Sequence, residues 1–266
     1  MNHLIRPNTS LTLSDLPTRS GDQFNLSRKE TEAEFKQLRK ELRDWQYKWY
    51  AEGKRKLLIV LQALDAGGKD GTIRNMLQGV NPQGVVVTSF KAPSKIELAH
   101  DYLWRIHHAV PAAGMWGVFN RSHYEDVLIV RVQNFVPESV WRPRYEQINQ
   151  FEQLLSATGT TILKFYLHIS KDEQKERLQA RLDTPEKRWK FDAGDLKQRA
   201  RWDDYMTAFE DVFRYTSTEY APWYVIPADQ KWYRNYAITK IVVEKLRELN
   251  PRFPEAQAGI ENLQIV

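Results

Sequence analysis

Apolar residues recur every three or four positions in the first part of the chain that has a regular pattern. The residues on this spacing are Phe35, Leu38, Leu42, Trp45 and Trp49. Ser27 and Glu30 precede them with the spacing of a capping box, and Gly53 ends the pattern. We therefore predict an amphipathic helix from residue 27 to residue 53.

Short unbroken apolar runs follow this helix and alternate with helical patterns. The runs cover residues 57–61, 85–87, 115–119, 160–169 and 223–226, and helical patterns begin near Lys95, Lys171 and Trp232. An unbroken apolar run is typical of a strand that is buried on both faces of a parallel sheet. The alternation of these strand-like runs with helical patterns predicts an α/β fold, with a parallel sheet between two helical layers.

Composition divides the chain into three parts. Residues 1–26, with scattered Pro, Gly, Ser and Thr, predict an irregular N-terminal arm; residues 27–250 carry the regular patterns and form a single domain; residues 251–266 predict a loosely attached C-terminal tail. Residues 183–202 are rich in Lys and Arg, poor in apolar residues, and interrupt two helical patterns. We predict a mobile basic lid in this segment.

The overall composition narrows the functional class. The 266 residues, of which 42% are hydrophobic, are enough for a full core, and the absence of Cys excludes disulfides, thiolate metal sites and cysteine nucleophiles. The formal net charge of +5 is too small to indicate nucleic acid but is compatible with an anionic ligand. No apolar run approaches the roughly 20 residues of a membrane span, and residues 1–10 lack the apolar centre of a signal peptide. We expect a soluble, cytoplasmic protein that binds neither nucleic acid nor membranes.

The most informative motif follows the apolar run at residues 57–61. That run leads into a glycine-rich loop and then into a helical pattern from Ile73, which is the context of a phosphate-binding P-loop. Without Cβ atoms the loop can turn its backbone N–H groups towards phosphate oxygens, and Lys69 adds a mobile positive charge. The phosphate-binding candidates are Ala66, Gly67, Gly68, Lys69, Asp70, Gly71, Thr72 and Arg74. The alternative is that the glycines only form a tight turn.

The loop departs from the general pattern G-x-x-x-x-G-K-[ST] at two positions. Ala63 replaces the first glycine, and Asp70 replaces the hydroxyl residue that usually binds magnesium. Asp65 and Asp70 are the candidate replacements for that ligand.

A second polar cluster follows the apolar run at residues 115–119. The carboxyl ends of parallel strands meet at one edge of a sheet, so residues 120–126 should face the glycine loop. The planar guanidinium of Arg121 can hold two phosphate oxygens, although an ion pair with Glu125 would also explain this residue. Asn120 stands where a metal-binding Asp is usual.

Further basic residues suit a polyanion. Arg177 and Arg181 are four positions apart and share one face of a predicted helix, Lys190 lies in the predicted lid, and Lys91 follows the run that begins at residue 85. Cations that converge from a movable segment can exclude water from a reactive phosphoryl group. A solvated charged surface is the alternative explanation.

The motifs together resemble those of the family-2 polyphosphate kinases. The segments that carry the resemblance are LQALDAGGKDGTIR (61–74), GVNPQG (79–84), SFKAPS (89–94), FNRSHYE (119–125) and PEKRWK (185–190). They occur in the family's order, and the resemblance spans about residues 30–250. Asn120, where other branches have Asp, resembles the subgroup, class III, associated with phosphorylating both AMP and ADP.

The resemblance implies a thymidylate-kinase-like P-loop fold with a helical lid, and reversible transfer of the terminal phosphoryl group of inorganic polyphosphate to an adenine or guanine nucleotide. The catalytic residues it implies are Asp65, Lys69 and Arg121. The lid cations are Arg181 and Lys190, and Arg177 is a further phosphate-binding candidate. The nucleotide-binding residues are Lys91, Asn120, Arg121 and Glu125. The ligands expected for Mg²⁺, or for Mn²⁺ in its place, are Asp65, Asn120 and Glu125.

Two other functions fit the same residues. An ATP-dependent P-loop kinase of a small hydroxylated substrate would require a general base, for which Asp65 is a candidate. A non-enzymatic module that binds anions or nucleic acid would keep the loop without turnover. We also expect a homo-oligomer, either a dimer or a tetramer, because the Trp-rich N-terminal helix and the aromatic C-terminal stretch suggest a self-association surface.

Overall fold

A mixed sheet lies at the centre of the computed structural model, which describes residues 3–21, 24–260 and 263–265. Within these residues the sheet has six strands in the order β1-β6-β5-β2-β4-β3. The strands are β1 (Leu4–Ile5), β2 (Lys56–Gln62), β3 (Val85–Ser89), β4 (Trp116–Asn120), β5 (Thr160–His168) and β6 (Trp223–Pro227). Strands β2 to β6 pair in parallel, whereas β1 pairs antiparallel with β6.

Two groups of helices flank the sheet. The helices are α1 (Arg28–Glu52), α2 (Lys69–Met76), α3 (Lys95–Leu98), α4 (Trp104–Ala109), α5 (Ile129–Val132), α6 (Glu138–Trp141), α7 (Arg144–Ala157), α8 (Lys171–Asp183), α9 (Ala193–Ala200), α10 (Trp202–Thr216) and α11 (Lys231–Leu249). Helices α1, α2 and α11 pack together, as do α5, α7 and α10, and both α7 and α11 contact β5. The predicted α/β fold with helical layers around a sheet is confirmed. Among the described residues, no helix combines the length and the apolar character needed to cross a bilayer.

Helix α1 forms as its sequence predicts. The Ser27 hydroxyl accepts a hydrogen bond from the Glu30 N–H at 3.3 Å, and the Glu30 carboxylate accepts one from the Ser27 N–H at 2.8 Å. Gly53 ends the helix with φ +66°, a left-handed conformation that glycine adopts without strain. Leu42 and Trp49 on its apolar face are fully buried. The capping box and the apolar spacing therefore define both ends and the buried face of α1.

The central strand β2 sets the position of the glycine loop. Leu58 to Leu61 are fully buried, as the unbroken apolar run predicts. Strand β2 lies between β5 and β4, and Leu61 is paired with Phe165 on one side and Asn120 on the other. The segment after Asn120 consequently starts beside the loop that follows β2, at the carboxyl edge where open α/β sheets bind ligands.

The N-terminal arm contains regular structure that the sequence did not predict. Strand β1 pairs with Trp223 and Tyr224 of β6, so the sheet is not purely parallel. Leu13 is fully buried, and its N–H donates to the Glu210 carboxylate at 2.7 Å. A two-residue strand is too short to show a period in the sequence. Helices α7 and α10 likewise have no counterpart among the predicted elements.

The predicted lid segment is largely helical. Helix α8 continues to Asp183, a 3-10 helix covers Pro185–Lys190, and α9 follows it. In the predicted tail, Pro251 is buried and the Phe253 ring meets the Tyr47 ring edge-on at 5.6 Å. Residues 1, 2, 22, 23, 261, 262 and 266 of the predicted arm and tail lie outside the described residues.

Candidate active site

The loop between β2 and α2 has the geometry of a P-loop. Helix α2 begins at Lys69, and Gly68 precedes it with φ +103°, a conformation that strains residues other than glycine. A Cβ atom on Gly67 would lie 2.5 Å from the Cβ atom of Ala63, so the backbone can turn here only without a side chain. The predicted sequence of strand, glycine loop and helix is confirmed. The loop ends at the N-terminus of α2, and the positive end of the helix dipole there favours binding of an anion.

Lys69 is held inside this loop. Its side chain is 8% exposed, and its Nζ donates to the Ala63 carbonyl at 2.7 Å. Burial and the neighbouring Arg121 lower the pKa of Lys69 to about 8, whereas Asp65, Glu125 and Asp70 oppose this shift. The side chain is therefore still mainly charged at neutral pH but loses its proton at a lower pH than an ordinary lysine. An anion in the loop would favour the charged form.

Arg121 joins the second cluster to the loop. Its Nη2 donates to Asp65 Oδ1 at 2.5 Å, so Arg121 forms an ion pair with Asp65. The alternative raised from the sequence was an ion pair with Glu125. The backbone of Arg121 is left-handed, with φ +63°, and its N–H donates to the Leu61 carbonyl at 3.0 Å. A left-handed arginine is strained and persists only where its surroundings fix it. The fold thus directs this guanidinium towards the loop.

Carboxylate and amide groups surround the same point. Asp65 Oδ2 is buried and has no hydrogen-bond partner within the described residues. Burial raises the pKa of Glu125, against the charges of Arg121 and Lys69. Asn120 Nδ2 donates to Asp70 Oδ1 at 2.7 Å. Two predicted metal ligands, Asp65 and Glu125, therefore share the neighbourhood of Lys69 and Arg121, and the third, Asn120, borders it through Asp70.

The geometry is one that Mg²⁺ fits. In kinase sites this ion takes one or two carboxylates, with phosphate oxygens and water completing its octahedron. The unpartnered oxygen of Asp65 suits one such ligand. Among the described residues no group of three or more His, Cys, Asp or Glu side chains forms a cage. An ion held here would take its remaining ligands from phosphate oxygens and water.

Comparison with known proteins assigns the family. The family model Polyphosphate kinase 2 (PPK2) matches residues 25–254. The chain belongs to the polyphosphate kinase 2 family. The AMP/ADP-polyphosphate phosphotransferase of Meiothermus ruber is 58% identical over 228 residues, which are 86% of this chain and 85% of the relative. The ADP-polyphosphate phosphotransferase of Rhodopseudomonas palustris is 48% identical over 227 residues, which are 80% of this chain and 78% of the relative.

The fold of the chain is also that of the polyphosphate kinase 2 family. The crystal structure of polyphosphate kinase 2 from Arthrobacter aurescens TC1 superimposes with a TM-score of 0.93 at 44% sequence identity, covering 97% of this chain and 93% of that one. The resemblance inferred from the motifs is confirmed.

Arg177 of this chain holds the loop from outside. All five of its N–H groups have partners: Nε donates to the Glu173 carboxylate, and the two Nη atoms donate to the carbonyls of Ala66, Gly67, Ala228 and Asp229. This arrangement differs from the direct phosphate contact that the sequence suggested, because the guanidinium is already saturated. The four-residue spacing of Arg177 and Arg181 predicts that they share one helix face. It does not predict which carbonyl groups that face contacts.

The remaining basic candidates either contact the lid itself or are exposed. Arg181 Nη1 donates to Asp195 at 3.1 Å and to the Lys190 carbonyl at 3.2 Å. The Lys190 ammonium stands 4.9 Å from the centre of the Trp189 ring. Lys91 and Arg74 are exposed. In this structure the lid cations are therefore bound to the lid itself, and their contact with phosphate remains a prediction.

Asp195 is a site residue that sequence reasoning missed. It is 8% exposed at the start of α9, and burial together with the charge of Asp65 raises its pKa to about 6, while Arg181 opposes the shift. Because Asp65 raises the pKa of Asp195 and Asp195 raises that of Arg121, α9 brings a carboxylate within electrostatic range of the loop. No sequence spacing connects residue 195 to residue 65, so only the fold reveals this proximity.

Proposed function

We propose that this chain transfers the terminal phosphoryl group of inorganic polyphosphate to AMP or ADP. The observation that carries the proposal is the meeting of Lys69, Arg121 and the amide loop at one point, in a chain 58% identical to an AMP/ADP-polyphosphate phosphotransferase. The site places several positive charges around the amide loop, which suits two phosphate chains placed end to end. The enzyme is thus a phosphotransferase with a phosphate group as acceptor.

The chemistry requires little beyond position and charge. An oxygen of the nucleotide's terminal phosphate attacks the terminal phosphorus of polyphosphate, a new P–O bond forms, and the bond to the shortened polyphosphate breaks. The attacking phosphate is already largely anionic near neutral pH, by analogy with the second ionisation of a phosphoserine at about 6. A kinase that acts on an alcohol needs a carboxylate base, whereas this reaction does not. Because one phosphoanhydride bond breaks and another forms, the reaction is reversible.

Each residue at the loop has a role in this scheme. The amides of residues 66–71 and the positive end of α2 bind the donor phosphates, and Lys69 neutralises charge between donor and acceptor. Arg121 stabilises the transferred phosphoryl group, which requires that its contact with Asp65 be exchanged or shared. Asp65 and Glu125 would hold Mg²⁺, or Mn²⁺ in its place. That ion would supply charge neutralisation on the phosphate oxygens.

The alternative, an ATP-dependent kinase of a hydroxylated substrate, receives no support from the two relatives above, whose names give polyphosphate with AMP or ADP as substrates. We extend the proposal to guanine nucleotides as acceptors, to a cytoplasmic location and to a homo-oligomer. The packing of the aromatic residues limits the last point, because Trp49, Tyr233 and Tyr236 are buried within one chain. A self-association surface would have to use other residues.

A product assay tests the proposal. The pure protein is incubated with Mg²⁺, long-chain polyphosphate and either AMP or ADP, and nucleotides are separated by chromatography. We expect ADP and ATP from AMP, and ATP from ADP, with no other donor present. A parallel reaction contains ATP and glycerol. Turnover in that parallel reaction alone, with none from polyphosphate, would establish the alternative instead.

The pH profile tests the role of Lys69 independently. Its pKa of about 8 means that the free enzyme loses this positive charge as the pH rises through that value. We expect kcat/KM for polyphosphate to fall on the alkaline side, because kcat/KM reports the free enzyme. Bound phosphate favours the ammonium form, so kcat should fall only at higher pH. In Lys69→Arg, whose guanidinium stays charged, the fall of kcat/KM at alkaline pH should vanish. If the fall persists in this variant, a group other than Lys69 causes it.

A further inference from the structure

A second arginine lies directly behind the glycine loop. Arg234, in the first turn of α11, is 2% exposed, and its guanidinium lies so close to Gly68 that a Cβ atom there would come within 1.9 Å of its Nη1. Gly68 is thus glycine for two reasons, its left-handed backbone and the guanidinium packed against it. The C-terminal helix α11 therefore supports the loop with a positive charge.

This charge has no counterion. No carboxylate of the described residues lies within ion-pairing distance of Arg234, whereas Arg177 on the other side of the loop is paired with Glu173 at 2.7 Å. Burial lowers the pKa of Arg234 to about 9, Arg177 lowers it further, and Glu173 opposes both. Two arginines thus meet the loop with one carboxylate between them. A buried charge without a partner is unfavourable, so the site favours an added anion.

The hydrogen bonds of Arg234 leave it unsaturated. Its Nε and Nη2 both donate to Asn235 Oδ1, at 3.2 and 2.9 Å, which fixes the plane of the guanidinium. Its Nη1 donates to the Gly67 carbonyl at a long 3.4 Å. Within the described residues, three of its five N–H groups therefore have partners, whereas all five of those of Arg177 do. The guanidinium is oriented by its neighbour but not neutralised by it.

We propose that Arg234 is a positioning residue of the donor site. Its buried positive charge lies behind Gly67 and Gly68 and is neutralised by the polyphosphate bound in front of them. This neutralisation couples donor binding to the stability of the loop. The inference rests on the proposed function, because it takes polyphosphate as the donor. It assigns specificity for the polyanion to a residue that does not touch it. AMP carries less charge and is expected to depend on Arg234 much less.

Binding of tripolyphosphate without nucleotide is the test. Its dissociation constant is measured by calorimetry for the parent, Arg234→Met and Arg234→Lys, with Arg247→Met as the matched control, an exposed arginine of the same helix that pairs with Glu41. We expect binding to weaken about tenfold in Arg234→Met, because the loss of a buried positive charge behind the loop weakens the attraction for the bound polyanion. Arg234→Lys should retain most of the affinity. The control should match the parent.

Kinetics separate positioning from general damage. In Arg234→Met the KM for polyphosphate should rise about tenfold, while kcat and the KM for AMP change little; a merely structural defect would lower kcat or alter both KM values. Equal tripolyphosphate affinity in Arg234→Met and the parent would overturn the inference. If Arg234→Met does not fold, Asn235→Ala serves as the second variant, because it removes the two hydrogen bonds that orient the guanidinium. Asn235→Ala should also weaken tripolyphosphate binding, and an unchanged affinity would overturn the inference.

The two proposals fail separately. If the parent turns over polyphosphate and nucleotide but Arg234→Met binds tripolyphosphate as tightly as the parent does, only the role of Arg234 is wrong. If the parent forms no nucleotide product yet binds tripolyphosphate in a manner that depends on Arg234, the proposed reaction is wrong and the charge coupling stands.

Discussion

Replacement of Lys69 by alanine should lower the rate of phosphoryl transfer from polyphosphate by about 10² to 10³-fold, the loss typical of removing one preorganised group that stabilises developing charge. The ammonium lies within the loop and is already held by the Ala63 carbonyl. Its position before substrate binds means that little reorganisation is needed at the moment of reaction. We therefore expect the loss mainly in kcat rather than in the KM for AMP. The measurement is initial-rate formation of ADP from AMP at saturating polyphosphate.

A matched control separates this effect from loss of surface charge. Lys245, on α11, forms a surface ion pair with Glu248, and Lys245→Ala should leave the rate unchanged. Lys69→Ala should also retain its fold, because the side chain removed is a desolvated cation. A rate within tenfold of the parent in correctly folded Lys69→Ala would exclude the loop from the mechanism.

The parts of the fold that could be predicted are those whose cause is local. Helix α1 follows from its apolar spacing, its capping box and Gly53, and β2 follows from one unbroken apolar run. The P-loop follows because glycines between a strand and a helix permit few other structures. In each case neighbouring residues in the sequence are also neighbours in space.

The parts that could not be predicted depend on contacts between distant segments. The sequence predicts a phosphate contact for Arg177 and does not single out Arg234. Only the fold shows that both meet the loop, one through carbonyls and the other behind Gly68. Asp195 reaches Asp65 in the same way. Strand β1 pairs with β6 across more than two hundred residues. A sequence period carries no information about which face meets which partner.

Lys164 is the clearest case of a residue whose role the sequence concealed. It interrupts the apolar run of β5, yet it is fully buried, and its three N–H groups donate to Tyr124 Oη at 2.7 Å, Glu152 Oε2 at 2.6 Å and the Thr216 carbonyl at 2.8 Å. Glu152 Oε1 also accepts from the Tyr124 hydroxyl and contacts His123 Nε2. Burial would raise the pKa of Glu152, but Lys164 and His123 outweigh it and hold that pKa below its ordinary value. The ion pair therefore anchors the segment that carries Arg121.

Breaking this pair on one side should destabilise the protein more than removing it entirely. Lys164→Met leaves the Glu152 carboxylate buried without its cation, and we expect the free energy of unfolding to fall by about 3 to 5 kcal/mol. In Lys164→Met/Glu152→Leu no buried charge remains, and most of that loss should be recovered, apart from about 1 to 3 kcal/mol for the Tyr124 hydroxyl. Urea unfolding at neutral pH measures both.

The exposed pair Arg142–Glu138 is the matched control, since Arg142→Met should change the free energy of unfolding by less than about 1 kcal/mol. The double variant also separates stability from function. The backbone of Arg121 is left-handed and lies two residues before His123, so loss of the anchor should free it to relax. We therefore expect the double variant to regain stability but to keep a reduced kcat. If the double variant regained both stability and kcat, the ion pair would serve the fold alone. If it stayed as unstable as Lys164→Met, the ion pair itself would stabilise the fold, and the unpaired carboxylate would not explain the lost free energy of unfolding.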